Sequence, residues 1–210
     1  MSSAREQLAA ADPTMAALIA RLGEIDLETR LRRRSEERPA DAYGALLRAI
    51  VGQQLSTKAA RTIYGRVLEL FGGRTPSPEL LLDAEEDALR ACGLSGRKVE
   101  YVRDLAAHVL SGELELDRLG KLSDEEVVAE IVAVRGLGVW TAEMFLLFHL
   151  ERPDVLSGGD LGIRKAVQVE YGLEEMPAPS RVLEIGEPWR PHRSLASLYL
   201  WESLANAPVD

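Results

Sequence analysis

Hydrophobic residues recur along most of the chain at intervals of three and four positions, as in the segments 46–51 and 127–134. This spacing places apolar side chains on one face of an α-helix. Strands are hard to place in such a pattern, and no internal repeat of fixed period accompanies it. The sequence therefore predicts an all-α protein built from about nine short helices.

Capping residues indicate where these helices begin and end. Asp41 precedes one helical segment, and Ser77 precedes another with Pro78 at its first position. Ser123 with Glu126 three residues later has the pattern of a capping box. Helix ends are predicted at five glycine sites, which are Gly23, Gly72–Gly73, Gly93, Gly112 and Gly172.

Two interruptions of the helical pattern are candidate boundaries between lobes. One lies around Arg34–Pro39, and the other lies at Glu151–Gly159, where Pro153 and two glycines occur. Neither interruption is long enough to link independently tumbling domains. With 210 residues the chain can bury a sizeable core, as one large domain or as two small lobes.

The single cysteine and the short apolar stretches narrow the class of protein. Because Cys92 is alone, an internal disulfide, a four-cysteine zinc site and a four-cysteine iron–sulfur cluster are excluded. The longest strongly apolar stretch, Met144–Leu150, is too short to cross a bilayer, and the first twenty residues lack an export signal. We expect a soluble, cytoplasmic protein without a membrane partner.

The net charge of −9 at first argues against a nucleic-acid partner, because phosphate binding depends on lysine and arginine. The acids are concentrated in the runs 79–87, 113–117, 124–130 and 170–175. The segment 53–66, by contrast, holds Lys58, Arg61 and Arg66 and no acid. A locally basic face on an acidic body is therefore compatible with the sequence.

A helical hairpin carries the first chemical signal. The segment Ser123–Arg135 predicts a capped helix, Gly136-Leu137-Gly138-Val139 predicts a tight turn, and Trp140–Leu150 predicts a second helix. Glycines permit a positive φ in such a turn, and free amides at a helix N-terminus bind phosphate without side-chain charge. The alternative interpretation is a packing hairpin whose glycines only form the turn.

In the phosphate interpretation, the turn binds one DNA backbone phosphate. Gly136 shapes the turn, and the amides of Gly138 and Thr141 contact the phosphate. A monovalent cation, Na⁺ or K⁺, bridges to the same phosphate from three backbone carbonyls, which belong to Val132, Val134 and Leu137.

Several ordered motifs together resemble one known family. They are Val134–Ala142, Gly158–Arg164, Arg48–Ser56, Cys92–Lys98, and Trp189–Ser194 leading to Trp201. The series is similar to the helix–hairpin–helix, Gly/Pro-rich loop and aspartate (HhH-GPD) DNA glycosylase superfamily, and most similar to its 3-methyladenine DNA glycosylase II (AlkA-type) branch. Ordered motifs spread over most of the chain are far more specific than one glycine motif.

The resemblance implies a two-lobed helical fold. Residues 41–150 are expected to form a central lobe with a wedge loop and the hairpin. Residues 1–40 and 151–210 are expected to form a second lobe that carries the catalytic aspartate. The extra N-terminal α/β lobe of larger members is expected to be missing from this short chain.

Asp160 is the catalytic residue that the resemblance implies. Its local sequence alone is that of a helix N-cap, because it follows two glycines and precedes an apolar helix. Cleavage of a base from deoxyribose develops oxocarbenium charge on the sugar, which a carboxylate stabilises. One acid is enough when the leaving base is an alkylated purine, because such a base already carries positive charge.

Two tryptophans are expected to contact the extracted base. Trp140 stands where bifunctional relatives carry an attacking lysine, and because tryptophan forms no Schiff base a monofunctional enzyme is expected. Trp140 and Trp201 are expected to flank the flipped base, since ring faces favour a cationic one. Met144 stands where close relatives present another aromatic residue, which predicts a more open pocket. Trp189 is expected to be a packing or substrate-loop residue.

The enzyme must rotate the target nucleotide out of the helix and fill the gap. The segment 53–56 resembles the family's wedge loop, with Gln54 or Leu55 as the plug. The alternative is a polar turn between helices. Lys58, Lys98 and Arg164 are further candidates for phosphate contacts.

The expected partner is double-stranded DNA containing alkylated bases, with 3-methyladenine as the main lesion and 7-methylguanine as a second one. We expect a monomer that requires no cofactor and associates with the nucleoid if it is prokaryotic. Three alternatives stay open. They are a non-catalytic helix–hairpin–helix protein that binds damaged DNA, a bifunctional glycosylase and abasic-site lyase, and a purely structural helical protein.

Overall fold

Helices form all the regular secondary structure in the part of the chain that the structure describes. A computed structural model describes residues 3–25 and 41–205, and no strand occurs within these ranges. The helices are Ala4–Ala11 (α1), Pro13–Leu22 (α2), Ala42–Gly52 (α3), Thr57–Leu70 (α4), Pro78–Asp83 (α5), Glu86–Ala91 (α6), Gly96–Ser111 (α7), Leu116–Leu119 (α8), Asp124–Ala133 (α9), Val139–Phe148 (α10), Leu161–Glu170 (α11), Pro179–Ile185 (α12), a 3₁₀ helix Glu187–Trp189, and Arg193–Ala205 (α13). The all-α prediction is confirmed. There are more helices than expected, because elements as short as α8 hold too few residues to show a period.

The predicted helix starts are confirmed by their capping hydrogen bonds. The Asp41 carboxylate accepts the backbone N–H of Gly44 at 2.7 Å. Ser77 caps α5, with Pro78 in the first turn. Ser123 and Glu126 form both bonds of the capping box at the start of α9, at 3.2 and 2.8 Å. Short-range sequence patterns therefore fix where these helices begin.

The chain divides into two compact units. The first unit comprises Met1–Arg33 with Leu146–Asp210, and the second comprises Arg34–Phe145. One division falls inside α10, slightly before the interruption that the sequence shows at Glu151. The candidate boundary at Arg34–Pro39 lies outside the described residues.

The core of the first unit surrounds a buried carboxylate. Asp12 caps α2 through its Oδ1, which accepts the backbone N–H groups of Thr14 and Met15. Its Oδ2 accepts the hydroxyl of Tyr171 and, at 2.9 Å, the indole N–H of Trp189. Trp189 is completely buried. Of the two roles expected for Trp189, packing is the one that this burial supports.

In the core of the second unit, α7 packs against both α3 and α5, and α3 also packs against α4. Leu47 and Ile50 of α3 and Val102 and Leu105 of α7 are fully buried there. This packing positions the end of α3, which the wedge loop follows, and the start of α7, which carries Lys98. Across residues 3–25 and 41–205, none of the helices has the length and apolarity required to cross a membrane.

Candidate active site

Asp160 lies at the start of α11 in the first unit and binds two N–H groups through one oxygen. Its Oδ1 accepts the backbone N–H of Ile163 at 2.8 Å, which makes Asp160 the N-cap of the helix. The same Oδ1 accepts the indole N–H of Trp201 at 2.9 Å. The N-cap interpretation is thus confirmed, and it is compatible with a chemical role because the two donors orient the carboxylate.

A glycine makes the contact between Asp160 and Trp201 possible. A Cβ atom on Gly162 would lie 3.1 Å from Asp160 Oδ1 and 3.1 Å from the Trp201 ring. Both distances are tighter than ordinary van der Waals contact. Sequence reasoning did not identify Gly162, although a glycine in the first turn of an apolar helix is a signal of close approach.

Phe148 fixes the plane of the Trp201 ring. The two ring centroids are 5.9 Å apart with an interplanar angle of 25°, a stacked arrangement. Phe148 is only 5% exposed, whereas Trp201 is half-buried. The sequence did not single out Phe148, because the surrounding segment is apolar at nearly every position and gives no face to distinguish.

The loop before Asp160 is tied to the start of α13, the helix that carries Trp201. The Asp154 carboxylate accepts Nε of Arg193 at 2.7 Å and Nη1 of Arg190 at 2.6 Å. The hydroxyl of Ser194 accepts the backbone N–H of Val155 at 3.0 Å. These bonds hold the loop and the helix together, so that Asp160 and Trp201 keep a fixed relation.

The hairpin turn in the second unit depends on one left-handed glycine. Gly136 has a φ of +87°, and a Cβ there would lie 2.3 Å from the Tyr101 ring. Gly138 does not have a positive φ, so Gly136 alone of the two hairpin glycines supplies the left-handed residue that the turn was expected to use. A Cβ on Gly138 would meet nothing within 4 Å. Gly138 precedes α10, whose first amides have no partner within the helix.

The predicted wedge loop contains a strained residue. Gln54 is exposed and has a φ of +57°, in the left-handed region that favours glycine. Such strain persists when the surrounding structure holds the residue, and it is concentrated at functional sites. Leu55 beside it is half-buried. The more exposed Gln54 is thus the better placed of the two candidate plugs.

Lys98, one of the predicted phosphate contacts, donates hydrogen bonds within the second unit. Its ammonium donates to the carbonyls of Val51 at 2.7 Å and Gln53 at 2.8 Å. Burial lowers the pKa of this ammonium. Two of its three N–H donors are therefore used inside the protein, at the end of α3 and at the start of the wedge loop, and a contact with phosphate stays a prediction.

A family model described as HhH-GPD superfamily base excision DNA repair protein matches residues 47–191. The chain belongs to the HhH-GPD superfamily. DNA-3-methyladenine glycosylase 1 of Schizosaccharomyces pombe is 35% identical over 165 residues, which cover 78% of this chain and 72% of the relative.

Solved structures of HhH-GPD proteins have the same fold. A DNA-3-methyladenine glycosidase from Bacillus halodurans superposes with a TM-score of 0.84 and 37% identity, covering 98% of this chain and 90% of the other. A Schizosaccharomyces pombe 3-methyladenine DNA glycosylase in complex with abasic DNA superposes with a TM-score of 0.82 and 30% identity, covering 100% of both chains. The helix–hairpin–helix glycosylase fold predicted from the motifs is confirmed.

The remaining residues predicted from the HhH-GPD motifs lie in both units. Trp140 is 52% exposed and Met144 is half-buried, both in the second unit, whereas Trp201 lies in the first. Their joint contact with one base stays a prediction. Lys58 is exposed on α4, as a phosphate contact requires. Arg164 is half-buried and its Nε donates to the carbonyl of Pro177 at 2.8 Å, so part of its guanidinium is used inside the first unit.

Of the three carbonyls expected to bind a monovalent cation, those of Val132 and Val134 lie at the end of α9, and that of Leu137 lies in the turn that follows. Val132 is in the last turn of the helix and Val134 is its C-cap. Helix-end carbonyls lack intrahelical partners, and oxygen donors of this kind suit Na⁺ or K⁺. The Val134 carbonyl also accepts the N–H of Leu137 at 3.1 Å, which leaves it a second lone pair. The donor set fits the cation, whose binding stays a prediction.

Proposed function

We propose that this protein is a monofunctional DNA glycosylase that removes alkylated bases, 3-methyladenine and 7-methylguanine, from duplex DNA after base flipping. The observation that carries the proposal is the Asp160 carboxylate held by the indole of Trp201. Membership of a base excision repair superfamily supports it. The names of the similar proteins support alkylated bases as substrates, and a similar structure bound to abasic DNA supports duplex DNA as the partner.

Asp160 supplies the charge that the reaction needs. As the N-glycosidic bond breaks, positive charge develops on the sugar, and an oriented carboxylate lowers the energy of that state. The bonding electrons leave with the alkylated base, which is neutralised by them and therefore departs without a proton donor. Water then adds to the positively charged sugar carbon and loses one proton to the solvent, which leaves an abasic site.

Aromatic faces account for selectivity in this proposal. The Trp201 ring, stacked on Phe148, offers a surface that favours a positively charged base over a neutral one by about 0.5–2 kcal/mol. The exposed ring of Trp140 is the second surface that the family motifs imply. Since the position of Trp140 holds no amine, no Schiff base with the sugar is formed there.

Chromatography of the bases released from methylated duplex DNA tests the proposal. We expect 3-methyladenine and 7-methylguanine to be released and the strand to stay intact until alkali is added. Borohydride should trap no adduct between enzyme and DNA. An adduct would support a bifunctional lyase, and duplex binding without any base release would support a non-catalytic damage-binding protein.

Substitution of the hairpin glycine Gly138 should separate binding from folding. In Gly138→Ala the new methyl group has room within the protein, so stability should change by less than about 0.5 kcal/mol. The same methyl group would obstruct a phosphate approaching the amides, and we expect duplex affinity to fall by about 10-fold or more. Fluorescence anisotropy and urea unfolding measure the two effects.

Two other glycines serve as controls for that experiment. Gly136→Ala should lose at least about 2 kcal/mol of stability, because its φ is positive and the methyl group would overlap the Tyr101 ring. Gly120→Ala, at another position with open space, should change neither property. Unchanged DNA affinity in Gly138→Ala would contradict phosphate binding by the turn.

The plug is identified by comparing backbone and side-chain effects at the wedge loop. Gln54→Gly relieves the left-handed strain, so its stability should equal or exceed that of the wild type. If Gln54 fills the gap in the duplex, base release by Gln54→Gly and Gln54→Ala should fall equally, by about 10-fold. A loss seen only in Leu55→Ala would instead identify Leu55 as the plug.

A further inference from the structure

The carbonyls at the end of α3 and the start of the wedge loop accept hydrogen bonds from a side chain of another helix. A helix provides no partners for its last carbonyls. Amides within the turn satisfy the carbonyls of Ile50 and Gly52. The carbonyls of Val51 and Gln53 instead accept hydrogen bonds from the ammonium of Lys98, at 2.7 and 2.8 Å. A side chain from α7 thus takes the place of a backbone cap.

Lys98 is itself held at a defined position. It lies in the first turn of α7, where its backbone N–H donates to the capping hydroxyl of Ser95 at 3.3 Å. The next residue, Val99, is buried in the core of the second unit. Lys98 therefore joins the packed helix α7 directly to the carbonyls of Val51 and Gln53, on either side of the point where α3 ends.

The wedge loop is also bonded to the hairpin turn. The side-chain amide of Gln53 donates to the carbonyl of Gly136 at 2.7 Å. Gln53 therefore receives a hydrogen bond from Lys98 at its carbonyl and gives one to the turn from its side chain. The result is a continuous path from α7 through Lys98 and Gln53 to Gly136, all within the second unit.

We propose that Lys98 is a positioning residue for base flipping, which fixes the wedge loop relative to the hairpin turn. The inference rests on the proposed glycosylase function. Extruding a nucleotide costs unstacking energy. A loop already ordered before it meets the duplex adds no further entropy cost at that moment. The turn that contacts the phosphate and the Gln54 side chain that enters the duplex then keep a fixed position relative to each other.

Lys98→Met tests this role, because methionine keeps most of the aliphatic stem and removes the donors. On a duplex with one 7-methylguanine, single-turnover base release should fall by about 10-fold or more. Duplex affinity should change by less than about 2-fold and its salt dependence should persist, since no phosphate contact is lost. A neighbouring 2-aminopurine should show less of the fluorescence increase that accompanies unstacking.

A substrate that is easier to extrude separates positioning from a general loss of structure. When the 7-methylguanine lies opposite an abasic site, flipping opposes less pairing and stacking. Release by Lys98→Met should then approach the wild-type rate. Lys98→Arg restores N–H donors and should restore much of the rate on the paired substrate.

A second variant and a matched control complete the design. Gln53→Ala removes the bond to Gly136 without touching Lys98 and should give the same pattern as Lys98→Met, so it carries the test if Lys98→Met does not fold. Lys121→Met removes the same charge from an exposed position of the second unit and should behave as the wild type.

Three results would overturn the inference. Wild-type rates of flipping and base release by Lys98→Met would show that the hydrogen bonds from Lys98 are dispensable. An equal loss on both substrates would show a defect other than wedge positioning. Weaker binding with a smaller salt slope would make Lys98 a phosphate contact. Failure of the proposed function is a separate outcome, in which the wild type releases no methylated base.

Discussion

An Asp160→Asn protein should release methylated bases about 10³-fold more slowly than the wild type while it folds and binds DNA normally. Asparagine keeps an oxygen in the place of Oδ1, so the bonds from Ile163 and Trp201 can both be retained. Only the negative charge is lost, and with it the stabilisation of the developing positive charge on the sugar. Single-turnover release, anisotropy and thermal unfolding should be measured on the same preparation.

Asp117→Asn is the matched control for that experiment. Asp117 is exposed on α8, and its substitution removes one negative charge without a change in the candidate active site. Release should therefore be unaffected. Undiminished release by Asp160→Asn would contradict the catalytic assignment. A loss of DNA binding together with release would show that the substitution acts through structure.

Asp12→Ala should lose about 3–5 kcal/mol of unfolding free energy, because two side-chain donors and the backbone N–H groups at the start of α2 lose their acceptor. The hydroxyl of Tyr171 and the indole N–H of Trp189 would be left without the carboxylate that accepts them. The start of α2 would also lose its cap, since Asp12 accepts from Thr14 and Met15. Urea unfolding followed by circular dichroism measures the loss.

The pH dependence of stability gives an independent test of the Asp12 cluster. Burial raises the pKa of Asp12, but the bonds from Tyr171, Trp189 and two backbone amides outweigh it and hold the pKa below its ordinary value. A lowered folded-state pKa contributes stability above the unfolded value of about 3.9, and this contribution is lost as pH falls through the folded-state pKa. The stability advantage over Asp12→Asn should shrink across that acidic range. An advantage independent of pH would contradict the role of the ionised carboxylate.

Short-range features of the fold were predictable from sequence. Asp41, Ser77 and the Ser123–Glu126 pair cap helices as expected, because a cap involves residues only two or three positions apart. The same local rule identified Asp160 as an N-cap. The two hairpin glycines permit a positive φ at either position, and the sequence does not say which one adopts it; the structure has it at Gly136.

The sequence by itself determined the helical class, the helix starts and the family to which the motifs belong. Tertiary structure decided which atoms meet: Trp201 reaches Asp160 across 41 residues of sequence, and Lys98 donates to the carbonyls of Val51 and Gln53. Neither contact has a local pattern, because each depends on the packing of helices distant in the chain. Periodicity and caps are set within one or two helical turns, whereas the direction of a side chain between helices is set only when the core closes around it.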